Sequence, residues 1–193
     1  MTPTPAPAWL WRVLKFGPWL GAGALLILPA IAMRFTEEVD WTAFDFVFAD
    51  GMFLAVLLPW ELAMRSSRNP MRLAGVAGAL GTGFVVIWAS GAVGVIGSED
   101  NPANLLFLGV VAVAVVGAIL ARFRAEGVAT TLYLTAALQL ALGVAALILG
   151  LGDEGVSWPV DLIGATVVFT LGWLLSGTLI AQAGRGSESV PGA

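Results

Sequence analysis

Three polar side chains sit where an otherwise apolar chain can least easily carry them: Asp50, Glu61 and Gln139. An ionisable group inside a hydrocarbon layer is costly, and by default it marks an ion or proton path or a pairing with another polar group. Asp50 stands eight residues beyond Thr42, about 12 Å along a helix that rises 1.5 Å per residue. Glu61 follows eleven residues later, and eleven steps of about 100° return to nearly the same helix face. Asp50, Leu54, Leu57, Glu61 and Arg65 therefore form one stripe. Read as a pathway, Asp50 is the relay, Glu61 the inner exit and Gln139 a polar stop midway along a later apolar stretch. Each has a plainer role. Glu61 and Arg65 stand four apart in the favourable order for an ion pair, Gln139 suits a hydrogen bond between helices, and Asp50 suits a protonated acid or one bonded to a neighbouring helix.

The residues that are missing narrow the chemistry. With no Cys, disulfides and thiolate reactions are excluded, and with no His the commonest general base, metal ligand and pH switch is absent. An enzyme built here would depend on carboxylates alone, and no paired-acid motif recurs. Neither catalysis nor a cofactor is expected, and the metal content is left open. A net charge of -4 supplies no basic patch for nucleic acid.

The elements that must carry these residues are membrane spans. The chain is 59% hydrophobic and only 11% charged, against about 25% charged in a typical soluble domain. Six stretches suit spans: Phe16–Met33, Thr42–Met64, Leu73–Gly97, Asn104–Ala121, Gly127–Gly152 and Val160–Ala183. About 20 apolar residues cross a hydrocarbon core of about 30 Å. The expected fold is all-α: a polytopic membrane protein with a compact bundle of six transmembrane helices, one domain over 16–183, with disordered tails at 1–15 and 184–193. Its first partner is the lipid bilayer. A homo-oligomer or a larger membrane complex is compatible with the same surface.

Charge sorts onto opposite sides of these spans. Arg12, Lys15, Arg65, Arg68, Arg72, Arg122, Arg124 and Arg185 share one side, and only Arg34 lies opposite. Basic residues mark the cytoplasmic face, so both termini are expected in the cytoplasm of a bacterial inner-membrane protein. The other side collects Glu37, Glu38, Asp40, Asp45, Glu99, Asp100, Asp153, Glu154 and Asp161. Asp45, Glu99, Asp100, Asn101, Asn104 and Asp161 form a candidate outer acidic rim. Their carboxylate and amide oxygens are the ligands a hard cation takes.

Local signals refine the helices. Thr42-Ala43-Phe44-Asp45 reads as an acidic capping box, and Asn69-Pro70 and Asn101-Pro102 read as an Asn cap followed by Pro at the first helical position. Small residues recur at spacings that let helices approach closely: Gly17 and Gly21, Gly78 and Thr82, Ala137 with Ala141 and Ala145, Gly172 and Ser176.

Asn101-Pro102-Ala103 resembles the aquaporin signature, but the only other Asn-Pro, Asn69-Pro70-Met71, lies at the opposite end of span three, and neither loop holds a re-entrant half-helix. A longer stretch, Ala92-Val93-Gly94-Val95-Ile96-Gly97-Ser98-Glu99-Asp100-Asn101-Pro102-Ala103-Asn104-Leu105, followed by Ala121-Arg122-Phe123-Arg124, resembles a segment of small multi-pass bacterial inner-membrane proteins. That resemblance implies location and topology, and no activity. Two functions follow as expectations. The first is a small cation or proton transporter or channel using Asp50. The second is a non-catalytic accessory or assembly subunit of a larger membrane complex.

Overall fold

Proline and asparagine set where several helices begin. In the computed structural model, which describes residues 7–155 and 157–188, Asn69 Oδ1 accepts hydrogen bonds from Met71 N at 3.0 Å and Arg72 N at 3.3 Å. Pro70, which has no N–H to satisfy, takes the first helical position. At the preceding helix, Asp45 Oδ2 accepts from both Thr42 N and Thr42 Oγ1 at 2.7 Å, while Asp45 N reaches back to Thr42 Oγ1 at 3.4 Å. The capping box foreseen in Thr42-Ala43-Phe44-Asp45 forms.

The described residues are all-α: α1 (Ala8–Ala32), α2 (Ala43–Ser66), α3 (Pro70–Ala92), α4 (Leu105–Leu120, entered through a 3-10 turn at Pro102–Asn104), α5 (Ala125–Ile148) and α6 (Val160–Glu188). All six are long and apolar enough to cross a membrane, α4 when counted with its leading turn. Two tail boundaries move. Helix α1 begins at Ala8, so 8–15 are helical rather than part of a tail, and α6 continues to Glu188, beyond the Ala183 limit of the apolar run. Helix hydrogen bonds continue past the end of an apolar run as long as no Pro or positive-φ residue stops them. Residues 1–6 and 189–193 of the two expected tails lie outside the described residues.

By its contacts the chain divides into two compact units, α1 with α2 and α3 through α6. Hydropathy cannot foresee this division, since lipid satisfies an apolar face as well as another helix does.

In the first unit α1 buries only Ala22, and α2 buries Leu57, Trp60 and Met64. A hydrogen bond from Trp60 Nε1 to Leu14 O at 2.9 Å ties the pair.

In the second unit the helices interlock through small residues. A Cβ on Gly78 would stand 2.6 Å from Ser176 Oγ, and one on Gly172 would meet Thr82 Oγ1. The two small-residue pairs seen in the sequence are thus each other's counterparts. Gly75 is as crowded, with a Cβ there lying 2.6 Å from Ile180 Cγ1 and 2.9 Å from Ser176 O. Gly143 of α5 faces Thr166 of α6, and Gly117 of α4 faces Thr131 of α5. These contacts enclose a core of Val86, Ile96, Phe107, Leu132, Leu162, Phe169 and Trp173. The alanine row on α5 takes no part: Ala137, Ala141 and Ala145 are exposed, while Leu132, Ala136, Gln139, Gly143 and Ala146 face inward. An apolar helix offers no polar stripe to show which side is which, so the spacing alone chose the wrong face.

Candidate functional site

Asp50 lies on α2, two turns before the buried Leu57, and is itself exposed. Its carboxylate makes no hydrogen bond or ion pair among the described residues. Several of its neighbours on the helix are apolar and open: Val47 is 70% exposed and Phe48 54%, and a Cβ on Gly51 would meet nothing within 4 Å. Along the stripe towards Leu57, Phe46, Phe53 and Leu54 are half-buried, while Asp50 itself stands at the surface.

Glu61, eleven residues along the stripe, is tied down. Its Oε1 accepts from Arg65 Nε at 3.1 Å and lies 3.9 Å from Lys15 Nζ on α1. Its side chain is 14% exposed, and Oε2 is buried without a partner. Two cations fixed on one carboxylate make a local clamp at the basic end of the α1–α2 unit. This is the ion-pair role, with Lys15 as a member that helical spacing could not reveal.

Gln139 belongs to the other unit, at the centre of the α3–α6 bundle. It is fully buried, and neither Oε1 nor Nε2 has a partner. The expected interhelical hydrogen bond is absent. Contacts along the seam show what faces it. Gly143 meets Thr166 and Gly177 meets Tyr133, an antiparallel register that sets Gln139 level with Thr170. The Oγ1 atoms of Thr166 and Thr170, Ser90 Oγ and Trp173 Nε1 are likewise buried and unpaired. Other bundle hydroxyls behave differently: Thr82, Thr131, Thr135 and Ser176 each donate to the carbonyl four residues earlier. Asp50 and Glu61 thus share one helix, and Gln139 sits in a separate core. No continuous relay through the three residues forms within either unit.

The outer acidic rim resolves into helix caps and a backbone clamp. Asn104 is 4% exposed. Its Oδ1 accepts from Val95 N at 2.8 Å and Ile96 N at 2.9 Å, and its Nδ2 donates to Ser98 O at 2.8 Å. Asn101 Oδ1 is taken by Ala103 N at 2.9 Å. Both amide oxygens accept backbone N–H groups of their own loop, Asn104 Oδ1 from two and Asn101 Oδ1 from one. The loop turns through Gly94 (φ 78°) and Gly97 (φ 73°), a left-handed conformation that a Cβ penalises. It drives Val95 and Ile96 into the core. The stretch from Ala92 to Leu105 is a plug that tucks Val95 and Ile96 into the core at one end of the bundle.

Asp45 is occupied in capping α2. Asp161 is exposed in the first turn of α6, where a negative charge complements the helix dipole. Glu99 and Asp100 are exposed on the plug loop. Among the described residues no group of three or more Asp or Glu is arranged to hold a metal ion. The features that sequence reasoning missed are Lys15 in the Glu61 clamp and the unpaired polar atoms around Gln139. The signal for the second set lay in Thr166, Thr170 and Trp173, which repeat at helical spacing on α6. The chain matches no known family model, no curated protein and no solved structure.

Proposed function

We propose that this chain is a non-catalytic assembly subunit of the bacterial inner membrane, with both termini in the cytoplasm. Its α1–α2 unit engages another membrane polypeptide through Asp50. The observation that carries this reading is the exposed, unpaired carboxylate of Asp50 on an apolar helix face. Lipid tails offer such a group nothing, whereas a partner helix bearing Lys, Arg or a hydrogen-bond donor at the same depth satisfies it. The α3–α6 unit, with its interlocked glycines and sealed end, suits a rigid body rather than a conduit.

Two measurements test the proposal. A photo-crosslinking residue placed at Val47 should give a discrete protein adduct in native membranes. Asp50→Leu should weaken that adduct about tenfold, the cost of leaving the partner's polar group unmatched by about 1.4 kcal/mol. In parallel, purified protein in proteoliposomes should carry no cation or proton current. A flux abolished by Asp50→Asn would overturn the assembly reading in favour of transport.

A further inference from the structure

We propose that the groove between α1 and α2 at their basic end is a seat for an anionic phospholipid, which places its phosphodiester between Lys15 and Arg65. The groove is an open surface depression of about 470 Å³ lined by Lys15, Phe16, Trp19, Leu58, Glu61 and Arg65. It has two chemically distinct parts. Phe16, Trp19 and Leu58 form an apolar wall, and the remaining three residues form a charged rim.

The rim is preorganised. Glu61, 14% exposed, holds both cations, yet the side chains of Lys15 and Arg65 remain 51% and 72% exposed. Arg65 spends only its Nε on Glu61, so the terminal amino groups of its fork stay available for phosphate oxygens, the geometry guanidinium suits best. Two cations and one carboxylate leave a single positive charge, matched by the single negative charge of a phosphodiester. Beside the rim, the Trp60 to Leu14 hydrogen bond pins α1 to α2, and Lys15 Nζ stands 5.6 Å from the centroid of the Phe16 ring. A basic pocket between membrane helices is a recognised seat for acidic lipid headgroups. The apolar wall selects a lipid over free phosphate, because it gives the glycerol and upper acyl segments a surface to lie on. The net positive charge selects an anionic lipid over a zwitterionic one, whose own amine would meet the same two cations.

Native mass spectrometry of the full chain, delipidated and offered phosphatidylglycerol or phosphatidylcholine, tests the assignment. One phosphatidylglycerol should be retained about tenfold more than phosphatidylcholine. Arg65→Gln should reduce retention about fivefold, the effect of one basic residue near a membrane surface. Lys15→Gln/Arg65→Gln should abolish the preference, while Arg34→Gln, at the other end of α1, leaves it unchanged. Arg65→Gln keeps the Lys15–Glu61 pair and the Trp60 anchor, so it remains informative if the double variant does not fold. Equal retention of both lipids, retention insensitive to Arg65→Gln, or full displacement by millimolar inorganic phosphate would each overturn the proposal.

Discussion

The two helical units use the same kinds of residue to opposite ends. In α3–α6, many glycines are contact points: an added Cβ at Gly75, Gly78, Gly143 or Gly172 would collide with a neighbouring helix, though Gly81, Gly91, Gly109 and Gly164 face open space. In α1–α2, Gly21, Gly23 and Gly51 face open space, and Gly17 has only Val13 of its own helix near it. Polar residues divide in the same way. The bundle hides unpaired polar atoms at Gln139, Thr166 and Thr170, whereas the α1–α2 unit hides one, Glu61 Oε2, and displays the carboxylate of Asp50 at the surface. A glycine pressed against a backbone reports a contact already made inside the chain. A glycine beside an uncovered carboxylate reports surface left for something else.

The largest effect that would sharpen this contrast comes from the bundle's end plug. Asn104→Ala removes three hydrogen bonds and strands the buried amides of Val95 and Ile96. It should cost about 3 kcal/mol, read as a lowered unfolding midpoint in detergent. A loss under about 1 kcal/mol would mean that the loop is held by Gly94 and Gly97 rather than by the amide. Next comes a matched pair of glycine substitutions. Gly75→Ala meets both Ile180 and the Ser176 carbonyl and should cost about 2 kcal/mol by overpacking. Gly21→Ala meets nothing and should be neutral or gain up to about 1 kcal/mol from helix propensity. If the two variants shift the midpoint alike, the two units are not different in packing. The smallest effect is expected at the centre of the bundle. Gln139→Leu replaces an amide with two unpaired buried atoms by an apolar side chain of similar size. It should raise stability by about 1 kcal/mol, since an unsatisfied buried group is removed. A decrease would show that the amide is bonded in the native membrane.

Much of the architecture was legible in advance for identifiable reasons. Six apolar runs between charged punctuation led to six helices, and Thr42 with Asp45 and Asn69 with Pro70 marked two helix starts, because capping is local chemistry between residues two or three apart. The Gly78–Thr82 and Gly172–Ser176 spacings identified contact faces, but only the structure showed that the two pairs face each other. The alanine row on α5 had the same kind of spacing and proved to point outward. The site was less legible than the fold. Asn101 and Asn104 are oxygen-bearing residues beside two acids and read readily as ligands, yet each amide oxygen accepts backbone N–H groups of its own loop. Asp50 and Glu61 share a stripe, yet one is bare and the other clamped.

What the sequence by itself determined is the set of quantities that depend on neighbours along the chain: six helices long enough to cross a membrane, the caps that begin some of them, and the exclusion of His and Cys chemistry. What only the tertiary structure decided is which surface of each helix meets another. It divided the chain into two units, placed Lys15 against Glu61, sealed Ile96 into the bundle and left Asp50 uncovered. The physical reason is that in an apolar solvent hydrophobicity does not distinguish a helix face turned to lipid from one turned to protein. Shape, close approach and the pairing of a few polar atoms make that distinction, and those are properties of residues far apart in the sequence.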